Sequence, residues 1–241
     1  MRLIVIDSSS KQNATVIEMG GNALLFDCGV SRKHLLCELE CRGISEKDIK
    51  AVFVTHDHSD HTKGLSSLQK HLNVPYLSGS GVPFCEPMTS PWSQYGFTVS
   101  FFDCSHDTPC VGYKITCGDK SVCIATDTGV ITDSIKNALI GCQTVMIESN
   151  HDLDMLMFGH YPPSLKSRIA SPVGHLSNAD CAKFLTYLAA HGKLKRALLA
   201  HLSENNNTPL VAKSACREAL SAYGFDDIEI ICAASGVEIE I

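Results

Sequence analysis

The stretch Thr55-His56-Asp57-His58-Ser59-Asp60-His61 constrains this chain more than any other, because Ala51-Val52-Phe53-Val54 runs straight into it. Those four apolar residues, rich in β-branched and aromatic types, read as a buried strand. The backbone then leaves the strand and presents three histidines and two aspartates within six positions. Imidazole and carboxylate are the ligands that borderline first-row metals prefer. With the spacing His-x-His-x-Asp-His one loop serves two ions, His56 and His58 turning to one, Asp60 and His61 to the other. A merely polar surface loop is the rival explanation, and this pattern directly behind a buried strand argues against it.

Composition sets the frame for such a site. With 241 residues, 44% of them hydrophobic, the chain has enough apolar surface for a full core. A formal charge of −6 gives no general basic surface, which argues against a long sequence-reading DNA interface but not against a metal centre that grips a strand end. Met1-Arg2 leads into Leu3-Ile4-Val5-Ile6, too short for a secretory core, and no apolar run is long enough to span a bilayer. A cytoplasmic protein with no membrane contact is therefore expected. The twelve cysteines are scattered without a C-x-x-C pair, so they are expected to be reduced thiols, most of them small core residues.

Along the chain, Leu3–Asp7, Ala14–Glu18 and Asn22–Asp27 read as strands, with Gly20-Gly21 supplying the positive-φ residues of a tight hairpin. Ser31 caps a helix running to about Cys41. After the histidine loop, Leu65, Leu68 and Leu72 recur at helical spacing, and Gly64 permits a close backbone approach beside the loop. Residues 78–93, rich in Gly, Pro and Ser, are expected to be an irregular rim loop. Strands follow at Thr98–Phe102, Val111–Thr116, Ser121–Ala125 and Thr144–Ile147, then short surface helices within 155–171, a helix from Asn178 to about His191, a strand at Arg196–Leu199, a helix from Thr208-Pro209, and terminal strands. Strands, strand–helix units, strands and strand–helix units again predict an α/β protein, a four-layer αββα sandwich. No linker interrupts it, so residues 1–241 are expected to form a single domain.

Two ions need more ligands than one loop supplies. Three strand ends offer them: His106 in Ser105-His106-Asp107, Asp127 in Thr126-Asp127-Thr128-Gly129, and His201 in Ala200-His201-Leu202. Each lies where a strand gives way to a loop, the position at which α/β sites are assembled.

With these residues in view, the sequence resembles the metallo-β-lactamase-fold hydrolases, whose pattern is a His-x-His-x-Asp-His loop followed by a His, an Asp and a final His, each after a strand. The resemblance covers essentially the whole chain. It implies that His56, His58 and His106 hold one ion, that Asp60, His61 and His201 hold the other, and that Asp127 bridges them. Within that fold the chain is most similar to the YycJ/VicX-type metallo-hydrolases, with the tRNA-processing RNase Z enzymes more distant. Four stretches carry this: residues 105–113, Glu148-Ser149-Asn150-His151-Asp152, Gly174-His175-Leu176-Ser177-Asn178, and His201-Leu202-Ser203-Glu204-Asn205-Asn206. One departure is that Ser8-Ser9-Ser10-Lys11-Gln12-Asn13 lacks the glycines usual in the turn after the first strand and keeps only Asn13.

Two divalent ions a few ångströms apart share a water and lower its pKa towards neutrality, making a hydroxide nucleophile. The ions do not supply a proton to the leaving oxygen. His175 resembles the non-ligand catalytic histidine of RNase Z-like enzymes and is the candidate general acid or phosphate ligand, with Glu148 its orienter and Asp60 the third candidate catalytic residue. The rival role for His175 is to help cap the following helix. His151, Asn13, Lys166 and Arg168 are candidate substrate contacts. The implied activity is a phosphodiesterase or nuclease working on a DNA or RNA strand end. The alternatives are a metal-dependent thioesterase or lactone/lactam hydrolase, and a non-catalytic or redox protein that retains the site. Lys63, Lys166 and Arg168 suit a phosphate better than an acyl chain. Zinc is the expected metal, with manganese and iron compatible with the same ligands.

Overall fold

Gly20 and Gly21, at φ of 60° and 77°, turn the hairpin between β2 (Gln12–Met19) and β3 (Asn22–Phe26), and β1 (Arg2–Ser9) pairs antiparallel with β2 on the other side. The protein is described here by a computed structural model covering Met1–Ile241. Ser31 caps α1 (Arg32–Glu40) through its side chain, which accepts from the His34 amide. The chain continues through β4 (Ile49–Phe53), α2 (Ser59–Thr62), α3 (Leu65–Gln69) and β5 (Tyr76–Ser78). The expected rim loop at 78–93 instead contains β6 (Glu86–Pro87) and the start of β7 (Trp92–Gln94).

Next come β8 (Phe97–Cys104), β9 (Cys110–Cys117), β10 (Lys120–Ala125), α4 (Asp133–Leu139) and β11 (Thr144–Glu148). The short helices expected near 155–171 are α5 (Leu153–Phe158) and α6 (Pro163–Ile169). The last elements are α7 (Asn178–His191), β12 (Arg196–Ala200), α8 (Pro209–Ser221), β13 (Glu229–Cys232) and β14 (Glu238–Glu240).

The chain divides into two compact units. The first comprises Met1–Ser100, Thr116–Lys120 and Ala234–Ile241, and the second Phe101–Ile115 and Ser121–Ala233. The first unit holds a seven-stranded sheet in the order β14-β1-β2-β3-β4-β5-β6. Its strands β1 to β5 are buried almost throughout, and on one face Ile4, Ile6, Val16, Leu25 and Val52 pack with Leu35, Leu39, Leu65 and Leu68 of α1 and α3.

The second sheet runs β13-β12-β11-β10-β9-β8-β7. Its four strands β10 to β13 are parallel, and each crossover carries a helix. Val145, Ile147, Ala197 and Leu199 form its core with Cys181, Leu185 and Leu188 of α7 and Ala212, Cys216 and Leu220 of α8. Parallel register puts the C-terminal ends of β10, β11 and β12 at one edge, with Ala125 opposite Ile147 and Glu148 opposite Ala200. Asp127, Glu148 and His201 therefore leave the sheet together. All twelve cysteines are free thiols, as the sequence leads one to expect, and half of them are buried.

Candidate metal centre

In the first unit the histidine loop follows β4 and is pinned from below by main chain. The Cys28 amide donates to the His61 carbonyl, and the Gly64 amide donates to the Cys28 carbonyl, each at 2.8 Å. This approach needs glycine twice. A Cβ on Gly29 would lie 1.6 Å from the Asp60 carbonyl oxygen, and one on Gly64 would lie 2.0 Å from that of Val30. The second of these is the close approach expected at Gly64.

Asp27, at the exit of β3, organises the loop. Its Oδ2 accepts from His61 Nδ1 at 2.7 Å, and its Oδ1 accepts the Thr55 amide at 2.8 Å. The Thr55 hydroxyl lies 3.0 Å from His56 Nδ1. With Nδ1 committed to a carboxylate, His61 is the tautomer whose Nε2 carries the lone pair, as metal ligation requires. His61 Nε2 and Asp60 Oδ2 lie 3.4 Å apart, and both face the amide nitrogen of Asn13, at 3.0 and 3.2 Å. Two acceptors converging on one electropositive point are what a cation needs, so these donors fit a divalent ion. The His58 ring sits 4.6 Å from that of His56. Asn13, expected to touch substrate, is thus placed with its side-chain amide against the candidate ligand atoms of Asp60 and His61.

In the second unit Asp127, Glu148, His175 and His201 each bring a ligating atom within 4.8 Å of the others. Glu148 is wholly buried and accepts four donors: the Thr128 amide at 2.9 Å, the Leu176 amide at 3.3 Å, and Nδ1 of both His175 and His201 at 2.8 Å on the same oxygen. Burial pushes its pKa up, but the two imidazoles outweigh that and hold it down at about 2. Burial also opposes the charging of His175, yet Glu148 prevails and the imidazole pKa is raised. Glu148 holds His201 by Nδ1, which leaves Nε2 as the atom available to a metal. It orients His175 in the same sense, on a ring still 18% exposed.

Asp127 is buried, its Oδ1 lying 3.5 Å from His201 Nδ1 and 4.0 Å from His106 Nε2. Gly174 receives His106 Nδ1 on its carbonyl at 3.2 Å, leaving Nε2 to ligate. Burial lowers the His106 pKa and so favours the neutral, ligating imidazole. A buried carboxylate beside imidazole nitrogens again fits a divalent cation.

Asp27, Asp127 and His201 share another property: φ of 60°, 57° and 55°. Left-handed backbone at a non-glycine costs roughly 1–3 kcal/mol and clusters at functional sites. Asp27 and His201 directly follow a strand, and Asp127 lies two residues past one.

The other candidates are placed as follows. His151 is buried, pairs through its main chain with Ser177, and has its pKa lowered by burial. Lys166 Nζ donates to the Met157 carbonyl at the end of α5. Arg168 Nη1 donates to Asp107 Oδ2 at 3.0 Å, while Asp107 Oδ1 lies 3.4 Å from His106 Nε2. Lys63 Nζ donates to the Lys11 carbonyl. The sequence did not announce Asp27, Thr55 or Thr128 as supports of the site. In the sequence Asp27 stood only as the last residue of the strand Asn22–Asp27.

Residues 10–98 match the metallo-beta-lactamase superfamily. Over 237 residues the chain is 30% identical to the exodeoxyribonuclease YycJ of Bacillus anthracis, spanning 92% of this chain and 89% of that protein. It is 30% identical over 221 residues to the exodeoxyribonuclease WalJ of Streptococcus pneumoniae (strain D39 / NCTC 7466), spanning 84% and 82%. Among solved structures, YhfI of Bacillus subtilis, described as a metallo-beta-lactamase fold protein, superposes with a TM-score of 0.75 at 18% identity, covering 100% of this chain and 99% of that one. At that identity the likeness speaks for the fold alone, and the fold is the α/β sandwich expected from the order of elements.

Proposed function

The chain belongs to the metallo-β-lactamase superfamily, and on that premise we propose that it is a dinuclear-metal phosphodiesterase that removes nucleotides from a DNA or RNA end. It is a metal-dependent hydrolase; the nuclease half of the proposal is carried by the likeness to two exodeoxyribonucleases along most of its length. Superfamily membership supports the ligand sets His56, His58 and His106 for one ion, Asp60, His61 and His201 for the other, and Asp127 for both. Residues 1–241 act as a single domain. Zinc is the metal of choice, and the cytoplasm the compartment. No helix is long and apolar enough to cross a membrane.

When bound, a pair of divalent ions supplies an acidified water and neutralises charge on the phosphate oxygens. The chain's own residues do the rest. Glu148 holds His201 and His175 by their Nδ1 atoms, so each presents Nε2. His175, its pKa raised by that carboxylate, delivers a proton from Nε2 to the departing sugar oxygen. Arg168, on an exposed side chain beside Asp107 and His106, adds positive charge where a phosphate would approach.

A panel of end-labelled single- and double-stranded DNA and RNA, run beside a thioester and a lactone, tests this reading. Stepwise release of nucleotides from one end is expected. Hydrolysis of the thioester or lactone with every nucleic acid left intact would contradict it.

A further inference from the structure

Three asparagine-bearing stretches around the second unit's site, those at 149–151, 176–178 and 206–208, meet the His201 loop at 201–203 in one buried hydrogen-bond network. Asn150 donates from Nδ2 to the His201 carbonyl at 2.8 Å. Its own carbonyl accepts the Ser203 amide at 2.8 Å and Asn207 Nδ2 at 3.0 Å, and its amide donates to the Leu176 carbonyl at 2.9 Å. Asn207 and Asn178 form a reciprocal amide pair with both bonds at 2.9 Å, and Asn207 reaches the Ser149 carbonyl at 2.8 Å. The Ser149 hydroxyl donates to Asn178 Oδ1 at 2.6 Å. One asparagine therefore ties the loop that carries His201 to the loop that carries His175.

We propose that Asn150, locked by Asn178 and Asn207, is a positioning residue that fixes His201 as a metal ligand by holding its carbonyl, and with it the left-handed turn. The inference rests on the dinuclear reading and goes beyond it by assigning a role to residues that touch neither metal nor substrate. Glu148 sets which ring nitrogen of His201 ligates, but a hydrogen bond to a ring does not fix the main chain behind it. His201 sits at φ of 55°, a region that non-glycine residues leave unless their surroundings over-determine it. The direction of its carbonyl is a backbone dihedral made visible, and Asn150 holds that oxygen from a buried, rigid position. Buried polar groups in a low dielectric specify one conformation when each is bonded, and here the amides interlock. A network serving only to stabilise the core would not need to end on the backbone of a ligand.

Zinc titration of the metal-free full-length chain against a chromophoric chelator tests this, with melting temperatures measured before and after loading. Asn150→Ala is expected to bind one zinc as the wild type does and the other about 10- to 100-fold more weakly. If Asn150→Ala does not fold, Asn150→Asp carries the same test, since it keeps the size and offers no donor when ionised. Wild-type affinity for both ions, whatever the change in melting temperature, would overturn the proposal and leave Asn150 a structural residue. A wild-type chain that takes up fewer than two zinc ions would overturn the dinuclear reading itself, a separate and recognisable result.

Discussion

His175 and His201 each donate Nδ1–H to the same oxygen of Glu148, both at 2.8 Å. Two imidazoles oriented by one buried carboxylate are given the same tautomer and different work. One is buried and, under the proposed function, presents its other nitrogen as a ligand, while the other keeps an exposed edge from which a proton would leave.

Glu148 is therefore expected to matter twice. Glu148→Ala removes the acceptor of both rings and leaves the Thr128 and Leu176 amides without a partner. Zinc affinity at the His201 site is expected to fall about 10- to 100-fold, and turnover is expected to fall further than that metal loss explains. Isothermal or chelator titration combined with rates at saturating metal separates the two effects. Unchanged turnover at saturating metal would show that Glu148 serves only the ligand.

His175→Ala is expected to lower turnover on a nucleic acid by about two to four orders of magnitude with bound metal near wild type. A nitrophenyl phosphodiester should suffer much less, because its phenolate leaves without a proton. The pH profile carries the sign. The acid must be protonated to act, and Glu148 raises its pKa, so the wild-type rate should fall as pH rises through that raised value. This alkaline limb should be absent with the nitrophenyl substrate. Equal loss on both substrates with metal retained would make His175 a phosphate ligand instead. A fall in metal content would make it a metal ligand.

Asp27→Ala withdraws the carboxylate from His61 Nδ1 and from the Thr55 amide. Loss of such a supporting carboxylate is expected to weaken zinc at the His61 site about 10- to 100-fold while α1 and the sheet remain folded. Metal content after dialysis and circular dichroism check both halves.

Gly29→Ala is expected to be costly for a different reason. The new methyl group would meet the Asp60 carbonyl at 1.6 Å, so the histidine loop or the turn must move. A loss of roughly 1–3 kcal/mol or more is expected, together with reduced metal uptake. Chemical denaturation of the metal-free chain measures the first, and zinc analysis the second.

These cases also mark what was legible in the sequence. The hairpin was legible because two consecutive glycines have a physical reason to turn, and both sit at positive φ. The histidine loop was legible because its ligand types are adjacent in the chain, and Asp127 and His201 were named at strand ends that parallel pairing brings to one edge, whereas Glu148 and His175 came from the family resemblance. The supports were not legible. Asp27 acts on a histidine 34 residues away, and Asn207 on a segment 57 away, through hydrogen bonds that leave no periodicity. The strands β6 and β7 escaped notice because two or three residues are too few to alternate.

The most direct measurement is nucleotide release from end-labelled single-stranded DNA as zinc is titrated into the metal-free protein. No release is expected without metal, with activity rising to a plateau at about two equivalents per chain. Release from the metal-free protein, or a plateau at a single equivalent, would contradict the two-ion hydrolase.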